Sequence, residues 1–175
     1  MKKVQSYNKR KVLNAMKWFL REVAKSSGND RKISMHEGDG FAALIPYNPE
    51  KYKDVFNFVY NIDYLIASGS DYKNGSGYVS AHMTHRDPST RGFSQITRIL
   101  LHEFGHHMTH ADVMRLYGGI SEMNKFYKGA QGNQARYVRV PAEWVATQWG
   151  IEWLQDPDHR KIAKQFEKRF WACFE

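Results

Sequence analysis

Two histidines four residues apart, His102 and His106, bracket Glu103 in the stretch Leu101-His102-Glu103-Phe104-Gly105-His106-His107. On an α-helix four residues advance about 400° and rise about 6 Å, so both imidazoles leave one face, a turn apart. Nitrogens so placed can reach one tetrahedral ion at about 2.0 to 2.1 Å each, the bond length of zinc to histidine. Glu103 lies about 100° round from His102. From there its carboxylate reaches a water beside the ion rather than the ion itself, which is the position of a general base in metal-assisted hydrolysis.

The flanks separate this pattern from a chance one. At about 100° per residue, Leu100, Phe104, Thr97, Met108 and Leu101 share one arc of the helix. His102, His106, His110 and Glu103 share another, with Ile99 and Thr109 among them. Such a helix is apolar or histidine-lined nearly all round, and therefore buried. Satisfied core histidines are the competing explanation, but three imidazoles and a carboxylate are costly to bury without a partner. A metal ion is the partner that suits them best.

A catalytic zinc needs a third protein ligand and an open fourth position. Three residues are candidates. The spacing His-Glu-x-x-His-x-x-Gly-x-x-His would put the third ligand at Asp112, but Thr109 stands where that pattern has glycine. His110 lies on the same helix, yet successive turns from His102 to His110 span about 12 Å, which suits a residue behind the ligands better. The third is Glu143, in Pro141-Ala142-Glu143-Trp144-Val145-Ala146-Thr147-Gln148-Trp149. Pro141 suits the first turn of a helix that runs to about Leu154. Glu143, Ala146, Thr147 and Gly150 then form a stripe of small residues that lets a second helix approach closely. Glu143 could merely complement the helix dipole. The metal motif demands a partner, however, and favours Glu143 over Asp112 and His110.

The run His102-Glu103-Phe104-Gly105-His106-His107-Met108-Thr109-His110, followed by Glu143-Trp144-Val145-Ala146-Thr147, resembles the ImmA/IrrE-like metallopeptidases. These are gluzincins of bacteria, mobile elements and phages. The resemblance implies a zincin-like α+β fold, with a small mixed or antiparallel sheet packed on an active-site helix and a glutamate-bearing helix. It implies Zn2+ held by His102, His106 and Glu143, and Glu103 as catalytic base. It also implies a protein or peptide substrate, with repressors and transcriptional regulators among the family's targets. The expected reaction is peptide-bond hydrolysis, in which Glu103 takes a proton from the attacking water and returns it to the leaving amine. An oxyanion donor is expected as well, and His107, His110, Arg136, Tyr137 and Arg139 are the candidates.

The surrounding pattern predicts the elements that position these residues. Val12, Leu13, Met16, Phe19, Leu20 and Val23 recur at helical spacing, which predicts an amphipathic helix over about 8–25, ending near Ser26-Ser27-Gly28. Strands are predicted at 32–36, 40–45, 60–67 and 77–82, with Asn74-Gly75 turning between the last two. A short helix is predicted from Pro49 to Phe56. The strand from Gly77 to His82 is the candidate edge for a substrate added as an extra strand. His82 and His85 at its end read as surface or loop residues. Gly118-Gly119 and Lys128 to Gln134 read as loops, and the C-terminal region reads as helix.

At 175 residues, 42% of them hydrophobic, the chain is expected to form a single domain over 1–175 with a real core. Absence of an 18-residue apolar run and of an apolar leader after Met1-Lys2-Lys3 predicts no membrane partner and a cytoplasmic location. Cys173, the only cysteine, cannot form an internal disulfide and fits a reducing compartment. The net charge of +8 is dispersed, with clusters at Lys2-Lys3, Lys9-Arg10-Lys11 and Arg160-Lys161 through Arg169. A solvated helix face explains these better than nucleic-acid binding. The alternative function is a zinc-stabilised basic protein associated with nucleic acid, without proteolytic activity.

Overall fold

A computed structural model describes residues 7–38, 55–63 and 88–174. Among them the chain is α+β and mostly helical, with helices α1 (Lys9–Ser26), α2 (Gln95–Leu116), α3 (Ile120–Ala130), α4 (Gln134–Tyr137), α5 (Pro141–Trp153) and α6 (Pro157–Trp171). A parallel pair of strands, β1 (Lys32–Glu37) and β2 (Val55–Tyr60), completes it. No helix among the described residues is long and apolar enough to cross a membrane.

Helix α1 forms where its periodicity predicts. Asn8 caps it by accepting from the Lys11 backbone N–H at 3.1 Å. Val12, Met16, Phe19, Leu20 and Val23 are all fully buried. Phe19 stacks on Phe166 of α6 at 4.4 Å and meets Trp153 of α5 edge-on at 6.1 Å, which ties the ends of the chain to the glutamate helix.

The sheet differs from expectation. β1 appears where it is predicted, but β2 occupies 55–60, so that of the predicted strand 60–67 only Tyr60 is extended in it and Ile62 and Asp63 are already helical. Residues 55–56, expected to end a short helix, begin the strand. The physical reason is the run Val55-Phe56-Asn57-Phe58-Val59-Tyr60, rich in the aromatic and β-branched residues that favour strands. Phe56, Phe58 and Tyr60 alternate onto one buried face. The pair is parallel, in register from Lys32↔Val55 to Glu37↔Tyr60, not mixed or antiparallel. The predicted strands at 40–45 and 77–82, residues 49–54 of the predicted short helix, residues 64–67 of the predicted strand 60–67, the Asn74-Gly75 turn, His82 and His85 lie outside the described residues.

Phe56 and Phe58 pack on Phe104 of α2 with ring centroids 4.5 and 6.2 Å apart. This contact lays the sheet against the helix that carries His102 and His106. The N-terminus of α2 is held from α6: the Glu167 carboxylate accepts from Ser94 N–H at 2.7 Å, from Ser94 Oγ at 2.6 Å and from Thr97 Oγ1. Ser94 is the N-cap residue but makes no cap bond with its own side chain, so Glu167 supplies the acceptor and a negative charge at the positive end of the dipole.

Beyond α2 the chain turns at Gly118 and Gly119, both at positive φ (81° and 87°). Helix α3 follows and covers the first part of 128–134, leaving only 131–133 between α3 and α4. Met123, Tyr127 and Ala130 recur at i, i+4 and i+7 on α3 and pack on Val113, Val140 and Ala142, a small second core beside α2 and α5.

Candidate metal centre

The site is built where α2 crosses α5. Gly105, buried in α2, lies directly against Ala146 of α5: a Cβ at 105 would run into the Ala146 carbonyl oxygen and lie 3.0 Å from Ala146 Cα. The small stripe on α5, Ala146 and Thr147, meets Gly105 and His102 of α2. With the backbones this close, a first-turn side chain of α5 reaches the histidine face of α2, and Glu143 does so.

His102 Nε2 and His106 Nε2 lie 3.1 Å apart. Glu143 Oε2 is 3.2 Å from His102 Nε2, and Glu143 Oε1 is 3.6 Å from His106 Nε2. A tetrahedral ion with arms of about 2.1 Å has ligand atoms about 3.4 Å apart. The three donors therefore already stand near the edges of such a tetrahedron, and their chemistry, two imidazoles and a carboxylate, fits a divalent ion of the zinc type. The side chains of His102 and Glu143 are 3% and 6% exposed and that of His106 is 15%, so the site is least covered on the His106 side.

Two of the three donors are held from behind. Thr147 Oγ1 lies 3.0 Å from His102 Nδ1, an interaction in which Nδ1–H donates when Nε2 keeps its lone pair toward the site. Glu143 Oε1 accepts from the Tyr127 hydroxyl at 2.6 Å and from the Tyr137 hydroxyl at 3.3 Å. Burial pushes the His102 imidazole below its ordinary range, and the positive field of His106 adds to that against the pull of Glu143. Burial works to raise the Glu143 carboxyl, but hydrogen bonds and charge from His102 and His106 overcome it and hold the group well below the usual carboxylate range.

Glu103 follows His102 on α2 and is not a member of the His102–His106–Glu143 group. Its carboxyl is pushed well up, first by burial and then by the negative charge of Glu143.

The other candidates separate cleanly. Asp112 is exposed and pairs with Arg115 at 3.1 Å, one turn along the outer face of α2. Neither Asp112 nor His110 belongs to the His102–His106–Glu143 group. His107, one of the oxyanion candidates, is wedged between the Phe56 and Phe58 rings at 5.0 Å from each, and its Nε2–H donates to the Asn57 carbonyl at 3.1 Å. Burial lowers its imidazole to about 4, and it joins α2 to β2 rather than facing the metal centre. Tyr137, another of those candidates, faces Glu143. Arg136 and Arg139 are exposed.

Two supporting residues are not legible as such. Thr147 reads from sequence only as a small residue, and Tyr127 has no motif around it. The sole signal for Tyr127 is its place in the Met123–Ala130 stripe. Basic residues of the C-terminal cluster are used within the fold: Arg160 donates to the Ser89 carbonyl and lies over Phe93, and Arg169 lies over Trp18 at 4.2 Å.

Compared with protein-family models, with curated proteins and with solved structures, the chain matches none of them.

Proposed function

We propose that this chain is a zinc-dependent metallo-endopeptidase of the zincin type, akin to the ImmA/IrrE-like enzymes, working in the cytoplasm on a protein substrate such as a regulator or repressor. The observation that carries this reading is the convergence of His102 Nε2, His106 Nε2 and the Glu143 carboxylate at 3.1 to 3.6 Å, with Glu103 adjacent but uncommitted to the ligand set. In this reading His102, His106 and Glu143 hold the ion. When bound, the ion supplies Lewis acidity, which activates water near neutral pH and polarises a carbonyl.

The remaining chemistry belongs to the chain. Glu103 accepts the proton of the attacking water on its carboxylate and gives it to the leaving amine, so that it ends the cycle as it began. Thr147, Tyr127 and Tyr137 orient the ligands. A site that only stabilised a fold would be closed by a fourth protein ligand.

The test is metal content by elemental analysis of wild type and Glu143→Ala, purified without chelator. One zinc per chain in wild type, lost in the variant, supports the reading. Full zinc in both removes Glu143 from the site, and none in either removes the metal.

A further inference from the structure

Glu143 receives unequal treatment at its two oxygens. Oε2 faces His102 Nε2 at 3.2 Å, whereas Oε1 stands farther from its nearer histidine, 3.6 Å from His106 Nε2. Oε1 accepts two phenolic hydrogens, from Tyr127 of α3 at 2.6 Å and from Tyr137 of α4 at 3.3 Å. A carboxylate oxygen has about two lone-pair sites, and two hydroxyl donors fill them. The phenols come from separate elements, α3 and α4, with their rings 5.7 Å apart, so the arrangement is built by the α3–α4 segment and not by the two ligand helices.

We propose that Tyr127 and Tyr137 are positioning residues that reserve Glu143 Oε1 for hydrogen bonding, so that the carboxylate offers a metal ion one oxygen only and a coordination position stays open for water. The inference rests on the metal reading above. A carboxylate free of the phenols can turn both oxygens toward an ion and occupy the place a reacting water needs. Tyr127 is the stronger holder, because its bond is the shorter and its ring packs with the small core of Val113, Met123 and Ala130. Tyr137 adds the second donor from the half-covered side.

The experiment uses Co2+ as the probe in the full chain, with wild type, Tyr127→Phe, Tyr137→Phe and the double variant. Phenylalanine keeps the ring and removes only the hydroxyl. Co2+ affinity and the visible ligand-field bands are read, alongside thermal unfolding of the metal-free proteins. Wild type is expected to show the intense bands of a four-coordinate ion. Tyr127→Phe is expected to weaken Co2+ binding about 10-fold, within the range for residues that support metal ligands, and Tyr137→Phe less. In the double variant the bands should fall to the weak intensity of a higher coordination number. A merely structural role would lower the unfolding temperature and leave the bands unchanged. Wild-type affinity and bands in the double variant overturn the proposal while leaving the metal site intact, whereas a wild-type chain that binds no Co2+ overturns both.

Discussion

Gly105 of α2 lies so close to Ala146 of α5 that a single added methyl group would collide with the Ala146 carbonyl oxygen. The glycine sits between Glu103 and His106, in the middle of a helix, where glycine ordinarily costs about 1 kcal/mol relative to alanine. Here the sign reverses. Gly105→Ala should destabilise the chain by about 1 to 3 kcal/mol, the usual range for overpacking, because the obstacle is backbone and cannot rotate away. The same displacement should move Glu143 off the histidines, so metal affinity should fall with stability. Thermal unfolding and a metal titration check both, and a stabilised Gly105→Ala would show that the helices have room to spare.

Glu103 stands beside the ligand set without joining it. Glu103→Gln should keep its full metal content and lose hydrolysis by about 10²- to 10⁴-fold, the usual worth of a positioned acid–base group. Elemental analysis and a proteolysis assay on the same preparation give the two readings. Turnover at the wild-type rate would remove Glu103 from the proposed role.

Acid should release the metal. Ligand histidines must be neutral to bind, so protons compete with the ion. Burial holds His102 below the ordinary imidazole value of about 6.5, and Glu143, despite its burial, is held low by His102 and His106. Groups with lowered values bind fewer protons when folded, so metal binding and folding stability are both expected to hold from pH 8 to about 6.5 and to decline below it. A chelating dye that follows metal release against pH checks this, and loss between pH 8 and 7 would contradict it.

Glu167 holds the start of the helix that carries His102 and His106 from another part of the chain, with Ser94 N–H, Ser94 Oγ and Thr97 Oγ1 on Oε1 and the Trp171 indole N–H on Oε2 at 2.8 Å. Glu167→Ala removes the acceptor and the charge at the helix N-terminus. It should cost about 2 kcal/mol and lower Tm by about 4 to 8 °C, while metal stoichiometry at 25 °C stays unchanged. A variant with wild-type Tm would mean that water replaces the carboxylate at no loss.

Much of this chain is legible in its residues and their spacing. The interval between His102 and His106 places both imidazoles on one face because the helical period is a local property, independent of what packs against it. The same holds for α1, whose apolar residues define its buried face, and for Pro141 at the start of α5. Strand β2 falls earlier in the chain than its pattern predicts because a short aromatic run carries a weaker signal than a helix, and its parallel pairing with β1 depends on a partner distant in sequence. Helix α3, set between glycines, declares itself only through the core it makes with Val113, Val140 and Ala142.

Sequence alone therefore determined the helix that carries His102, Glu103 and His106 and the short set of acidic residues able to join them, because residue type and helical period are written locally. Tertiary structure decided the rest: that Glu143 and not Asp112 meets the histidines, and that Thr147, Tyr127 and Tyr137 stand behind them. Those contacts join residues up to 45 positions apart. They arise from the close crossing of α2 and α5 over Gly105 and Ala146 and from the packing of α3 and α4 beside it, distances that no local spacing encodes.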